Sequence, residues 1–476
     1  MKKIFTFILS AAAFYGIMAA GADFAPVFSS GMVLQQGRDL SISGSAAPES
    51  KITLEFAGHK VSSIAGKDGK WVAVLPPLKA SATPRSMTLS SAEGSKKLDD
   101  ILVGEVWLCS GQSNMNWRLS ACINGKETAA ASDFPQIRFL RLATKPQAKP
   151  LEKFTNTWQR VTPKNAGTIS GVAYYFVRKL HQELNVPIGL LCAHLGGTMI
   201  EPWTPAGAWD KYPELKAKLA KQFSEPVNPK ANSPKVWAQN QPHVLYNAAI
   251  HPMTPYTFRG VIWYQGCSNV WYDSSNDYLL KQQALFDSWK KAFRNPDMKF
   301  YLVQLAPLRR GGNAAKNHVG IWLAQQEFAD KNHPAVQMAV INDVGDLKDI
   351  HPKNKAPVGL RLANIALKYD YNMPVAADFP RLKTCTKNGS SLLLTFTHAK
   401  SWKTIDGKAV KNFEVAGPDG KFVPAAAVVD GANLLVSSPA VAEPAAVRYM
   451  FNCSRIGNLV NENGLPLGTF KAAVRK

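Results

Sequence analysis

Near the start of the chain, apolar and polar positions alternate with period two, in Leu40-Ser41-Ile42-Ser43, Ile52-Thr53-Leu54-Glu55-Phe56 and Trp71-Val72-Ala73-Val74-Leu75. Successive side chains of an extended strand point to opposite faces, so such runs predict half-buried β-strands. Clusters of Gly, Pro, Asp and Ser separate them, Asp68-Gly69 among them. Short strands with turns at this spacing predict a small antiparallel β-sandwich over residues 23–100.

From residue 101 the pattern changes. Continuous apolar runs at 101–109, 137–142, 188–193, 261–264, 300–305 and 336–341 predict strands buried on both faces. Between them, Val172, Phe176, Leu180 and Leu184 recur every four residues, and Tyr278, Gln282, Leu285, Trp289 and Phe293 every three to four. That spacing puts each set on one face of a helix. Strand and helix in alternation predict a mainly parallel sheet covered on both faces, with ligands at the carboxyl ends of its strands. A further helix is expected over 359–371. After about 381 the runs return to β type, as in Ser391-Leu392-Leu393-Leu394-Thr395-Phe396 and Asn433-Leu434-Leu435-Val436, with Asp406-Gly407, Asp419-Gly420 and Asp430-Gly431 as turns.

The length of 476 residues exceeds what one core supports and fits two or three domains. With 46% hydrophobic residues and 12 Trp, extensive disorder is excluded. Met1-Lys2-Lys3, an apolar run to about Ala20, and Ala20-Gly21-Ala22 before Asp23 have the layout of a secretory signal. Export to the periplasm or the medium is therefore expected, with a mature chain starting near Asp23. A membrane anchor is the competing reading, but Thr6, Ser10 and Gly16 interrupt the run and no later stretch is apolar enough to span a bilayer. The six cysteines, Cys109, Cys122, Cys192, Cys267, Cys385 and Cys453, include no C-x-x-C pair, so no zinc site or dense disulfide framework is indicated. The formal charge of +22 becomes +20 (22 − 2) without Lys2 and Lys3. The basic residues are spread along the chain without a nucleic-acid-binding motif, and a solvated basic surface is the expectation.

Two segments carry chemistry. The apolar run 101–109 ends in Ser110-Gly111-Gln112-Ser113-Asn114, which places Ser113 just past a strand end, where a glycine allows a tight turn and leaves backbone amides free. Far along the chain, another apolar run enters Asn342-Asp343-Val344-Gly345-Asp346-Leu347-Lys348-Asp349-Ile350-His351. A serine hydroxyl needs a base to take its proton, and an imidazole needs an acceptor that fixes its tautomer. His351 is the candidate base. Its orienting partner is Asp349, two residues before, Asp346, five before, or a backbone carbonyl; side chains two apart share a face of an extended segment, which favours Asp349.

These segments resemble the sialate O-acetylesterase family of SGNH-type hydrolases. The resemblance rests on 104–115, on Gly196-Gly197-Thr198 with Ile200-Glu201-Pro202-Trp203, on 245–255 leading into Gly260-Val261-Ile262-Trp263-Tyr264-Gln265-Gly266, on 349–355, and on Val447-Arg448-Tyr449 with Asn458-Leu459. It implies a central three-layer α/β/α domain over 101–380, between the β-sandwich at 23–100 and a β-domain at 381–476, with 1–22 as the signal. It implies Ser113 as nucleophile, His351 as base, and an oxyanion hole from the backbone amides of Ser113 and Gly197 with the side-chain amide of Gln265. The substrate implied is an O-acetylated glycan, above all O-acetylated sialic acid, with no metal or organic cofactor.

Two positions depart from the family pattern: Cys267 stands where Gln-Gly-Glu-Ser-Asn has its Glu, and Asn116 where Glu is frequent. They leave open an esterase for acetylated xylan or another glycan, and a carbohydrate-binding protein of the same fold without turnover. Trp107, Trp117, Trp203, Trp263 and Tyr264 are candidates for stacking on sugar faces or for core filling. Glu201 and Arg361 are candidates for contact with a sugar acid or hydroxyl.

Overall fold

The alternating runs near the start become strands because one set of side chains finds a core and the other finds water. Leu40–Ser45, Lys51–Phe56 and Lys70–Leu75 bury every second residue, and the buried set includes Leu40, Ile42, Ile52, Leu54, Trp71 and Leu75. Residues 21–228, 230 and 236–474 are described in a computed structural model of the protein. Apart from Gly21 and Ala22, the expected signal lies outside the described residues. Among those described, no helix is long and apolar enough to cross a membrane.

The organising element is β1 (Gly94–Gly111), an 18-residue strand. Its first part, with mostly exposed residues, pairs antiparallel with Ser81–Ser91 of the N-terminal β-region, and Val33–Gln35 pairs in parallel with its residues 102–104. From Ile101 onward every residue of the strand is buried. From Trp107 to Gly111 it lies between parallel strands on both sides. The junction expected at 100/101 is thus a change of environment within one strand, and the N-terminal region is joined to the centre by backbone hydrogen bonds.

Past β1 the chain forms one-turn helix α1 (Ser113–Asn116), strands β2 (Phe134–Arg141) and β3 (Gln159–Val161), helix α2 (Gly171–Leu184) and strand β4 (Ile188–His194). Next come β5 (Gly260–Tyr264), α3 (Ser275–Ala292), β6 (Lys299–Val303), α4 (Gly312–Lys331), β7 (Val336–Ala339) and α5 (Ala356–Tyr369). The sheet order is β3-β2-β4-β1-β5-β6-β7. All pairs are parallel except the β2/β3 edge. Helix starts follow local chemistry: the Ser170 hydroxyl accepts the N–H of Ala173 before α2, and Ser274 and Asp277 form a capping box before α3.

The aromatic residues proposed for sugar stacking mostly fill the core. Trp107 lies edge-on to Phe176 with centroids 5.1 Å apart, and Trp263 is edge-on to Trp203 and Trp289 at 6.3 and 5.8 Å. These Trp rings and Tyr264 are almost wholly buried, so a sugar cannot reach them. Truncating such a residue to Ala costs ~3–5 kcal/mol. After α5, Arg381–Asn388 opens a seven-stranded sheet that runs to Phe470–Ala473 and forms the C-terminal β-region.

Candidate active site

The apolar run of β1 must stop at Gly111. Its φ is +131°, and a Cβ there would stand 2.3 Å from the carbonyl oxygen of Tyr264 on β5. The backbone turns, Gln112 donates its N–H to that same carbonyl at 3.0 Å, and Ser113 starts α1. The first N–H groups of a helix have no intrahelical acceptor, so the Ser113 amide is free of that claim.

The end of β4 forms the neighbouring wall. Leu195 donates its N–H to Gly111 O at 3.1 Å, and Gly196 then passes so close that a Cβ on it would lie 3.5 Å from Ser113 Cβ. Gly197 follows with φ +73°. Asn240 fixes this turn by donating from Nδ2 to Gly197 O at 3.0 Å and accepting Met199 N at 2.7 Å. The Gly197 N–H has no acceptor among the described residues.

A third segment arrives after β7. Asp346 Oδ1 accepts the N–H groups of Lys348 and Asp349 at 2.8 and 3.3 Å, which turns the loop. Asp349 Oδ1 accepts His351 N at 2.9 Å and lies 3.5 Å from His351 Nδ1. Asn114 Nδ2 donates to Ile350 O at 2.9 Å, and Lys355 Nζ donates to Asn114 Oδ1. The Trp117 ring stacks on His351, centroids 4.9 Å apart and 16° from parallel. Ser113 and His351 are therefore brought together through their neighbours. No hydrogen bond joins them directly, and His351 Nε2 is buried without a partner.

Burial lowers the His351 pKa, with Lys355 adding to the effect and Asp349 opposing it. The shift favours the neutral imidazole, the form a base requires. Burial also lowers Lys355, to about 8. Cys267 is buried and its thiol is pushed up by that burial, against the pull of Arg310 and Lys355. A thiol so placed lacks the thiolate character of a nucleophile.

Three candidate residues are engaged within the protein. Gln265 is fully buried, and its amide N–H groups are taken by Asn269 Oδ1 at 2.7 Å, Thr198 O at 3.1 Å and Gln112 Oε1 at 3.3 Å. Its two amide protons thus have three protein acceptors in this structure. Glu201 is fully buried between Lys281 Nζ at 2.5 Å and Asn269 Nδ2 at 3.1 Å, in a network that also holds Asp273. Arg361 is engaged by both oxygens of Asp343, at 2.7 and 2.6 Å. Both charges are paired within the protein. Sequence reasoning missed Asn114 and Lys355 as the link between the Ser113 and His351 segments; their place inside the matching segments was the available signal.

One cluster among the described residues has metal-ligand chemistry: the Cys109, Cys192 and His194 donor atoms lie within 4.8 Å of one another. It is buried within the sheet, Cys192 opposite Cys109 in register, and includes neither Ser113 nor His351.

Residues 103–368 match the family described as carbohydrate esterase, sialic acid-specific acetylesterase. The chain is 30% identical over 377 residues to sialate O-acetylesterase of Homo sapiens, covering 72% of this chain and 70% of that one. Against the sialate O-acetylesterase of Mus musculus it is 27% identical over 454 residues, covering 83% and 82%. The fold is similar to the crystal structure of a carbohydrate acetylesterase from Xanthomonas citri, with TM-score 0.84 and 31% identity over 95% of this chain and 99% of that one.

Proposed function

The chain belongs to the sialic acid-specific acetylesterase family of carbohydrate esterases and is a carboxylic-ester hydrolase, and we propose that it removes acetyl groups from sugar hydroxyls, O-acetylated sialic acid foremost, through an acyl-enzyme on Ser113. The observation that carries this reading is the convergence of three segments. Ser113 opens α1 at the end of β1, Gly196 lies against it, and the loop of His351 is bonded to its neighbour Asn114.

In the proposed reaction, His351 Nε2 takes the proton of Ser113 Oγ as that oxygen attacks the acetyl carbonyl carbon. The tetrahedral oxyanion accepts hydrogen bonds from the backbone N–H groups of Ser113 and Gly197; one such donor is typically worth ~3–4 kcal/mol. The ester C–O bond then breaks, and His351 returns the proton to the departing sugar oxygen. Water attacks the acetyl-serine with His351 again as base, releasing acetate and restoring Ser113. Asp349 orients the imidazole through Nδ1. Its closeness to that atom supports the assignment, as does the use of Asp346 in turning the loop. None of these steps draws on a metal or an organic cofactor.

The wider proposal is a three-layer α/β/α SGNH-type centre in an exported protein, periplasmic or secreted. The parallel register of the sheet supports the first part, and the arrangement of residues 1–22 the second. Acetate release measured across O-acetylated sialic acid, acetylated xylan and an activated acetate ester tests the function. Fastest release from sialic acid is expected. Faster release from xylan assigns a plant-glycan esterase, and binding of glycans with no release from any ester assigns a carbohydrate-binding protein instead.

A further inference from the structure

A cleft of about 820 Å³ opens between the start of α4 and the C-terminal β-region. That lies in the range of ~300–1,000 Å³ typical of ligand pockets. One wall carries Asn313, Lys316 and Asn317; the other carries Phe451, Asn452 and Ser454. Its floor is fixed, because Arg310 N donates to Ser454 Oγ at 3.0 Å and Leu308 N to Cys453 O at 2.8 Å.

The charged residues lining the cleft are Arg310, Lys316 and Arg448, with no Asp or Glu. Arg448 is neutralised by Glu414 at 2.7 Å and sits over the Phe422 ring. Arg310 and Lys316 have no carboxylate partner among the described residues, a net positive field left for a ligand. Next to the lining residue Arg310 is Trp271, 58% exposed, with the Arg310 guanidinium over its ring at 5.2 Å from the centroid. An exposed indole with a guanidinium over its ring suits a sugar ring that carries a carboxylate: the C–H face packs on the part of the indole left exposed while the oxygens pair with the cation.

The cleft adjoins the catalytic loops. Trp271 ends the turn Asn269–Trp271 that follows Cys267, and Asn317 Nδ2 donates to Val270 O at 2.9 Å in that turn. Arg309 N donates to Leu347 O at 3.1 Å in the loop of His351. The charge of Arg310 is felt at Cys267, on the same segment as Trp271, where it pulls the thiol pKa down.

We propose that this cleft is a subsite for the part of the glycan beyond the acetylated sugar, and that it selects a carboxylated oligosaccharide. This rests on the acetylesterase reading and adds that the C-terminal β-region helps choose the substrate. Ser113→Ala protein is titrated with unacetylated oligogalacturonate and with xylo-oligosaccharide of equal length, following tryptophan fluorescence. The carboxylated ligand should bind at least about tenfold more tightly, with an advantage that shrinks as salt rises. Two surface variants, Trp271→Ala and Lys316→Glu, should each weaken its binding by about tenfold. Equal binding of the two ligands, or variants that bind like the parent, overturns the subsite. Cleavage of 4-nitrophenyl acetate by the intact enzyme separates the two readings. If it proceeds while neither oligosaccharide binds, only the subsite fails; if oligogalacturonate binds and no ester is cleaved, the acetylesterase reading fails.

Discussion

Asn114 donates from Nδ2 to the carbonyl oxygen of Ile350 at 2.9 Å, which ties the residue after Ser113 to the residue before His351. Its other side-chain atom accepts from Lys355, so one amide spans α1, the histidine loop and the start of α5. Asn114→Ala leaves the Ile350 carbonyl and the Lys355 amine without this partner, at ~1–3 kcal/mol of stability. Turnover should fall by roughly 100-fold, since small misplacements of reacting groups carry costs of that order. Thermal melting with steady-state acetate release checks both. A lower melting point with unchanged kcat would show that the link is structural only.

The pH profile follows from His351. Burial lowers its pKa below the ordinary imidazole value, and the base must be neutral to act, so activity is lost as pH falls through the lowered pKa. The acid limb of kcat/KM should therefore have its inflection below about 6.5. Asp349 raises the histidine pKa, so Asp349→Asn should shift the limb lower still. It should also cut kcat by up to ~10⁴-fold through loss of the tautomer. A limb that moves up in this variant, or near-normal kcat, would remove Asp349 from the site.

Cys267 departs from the family pattern, and its environment predicts a spectator. It is buried and its thiol is pushed up, away from thiolate character. Cys267→Ala should keep kcat/KM for an acetate ester within about threefold of the parent, an effect of under ~1 kcal/mol on the transition state. A loss of several orders of magnitude would make the thiol a participant.

Activity should survive a chelator. The Cys109, Cys192 and His194 cluster lies within the sheet and includes neither Ser113 nor His351. Esterase assays after exhaustive treatment with a thiophilic chelator, followed by metal analysis, check this. Loss of activity that zinc restores would replace the serine mechanism with a metal-dependent one.

What the sequence reveals depends on how far each property reaches along the chain. The alternation at Leu40–Ser45 and the four-residue repeat of Val172, Phe176 and Leu180 are local, and the strand and helix they predict are present. The helix expected over 359–371 starts earlier, at Ala356, because Pro357 suits the first turn. Hydrogen-bond partners are a different matter. Gln265 Nε2 meets Thr198, 67 residues away, and Gln112, 153 away. No spacing rule near Gln265 signals that its donors are used internally. The continuity of β1 across residue 100 escaped for a related reason: the hydrophobic pattern records the change in burial from Lys97 to Leu102, and chain direction leaves no trace in it.

The central claim is that Ser113 carries the acetyl group. The measurement is mass spectrometry of peptides from enzyme quenched in acid during turnover of an acetate ester, for the native protein and Ser113→Ala. The account predicts an acetyl group on the peptide containing Ser113, none on the variant, and a loss of turnover by several orders of magnitude. Acetyl on the peptide containing Cys267, or sustained turnover by Ser113→Ala, would contradict it.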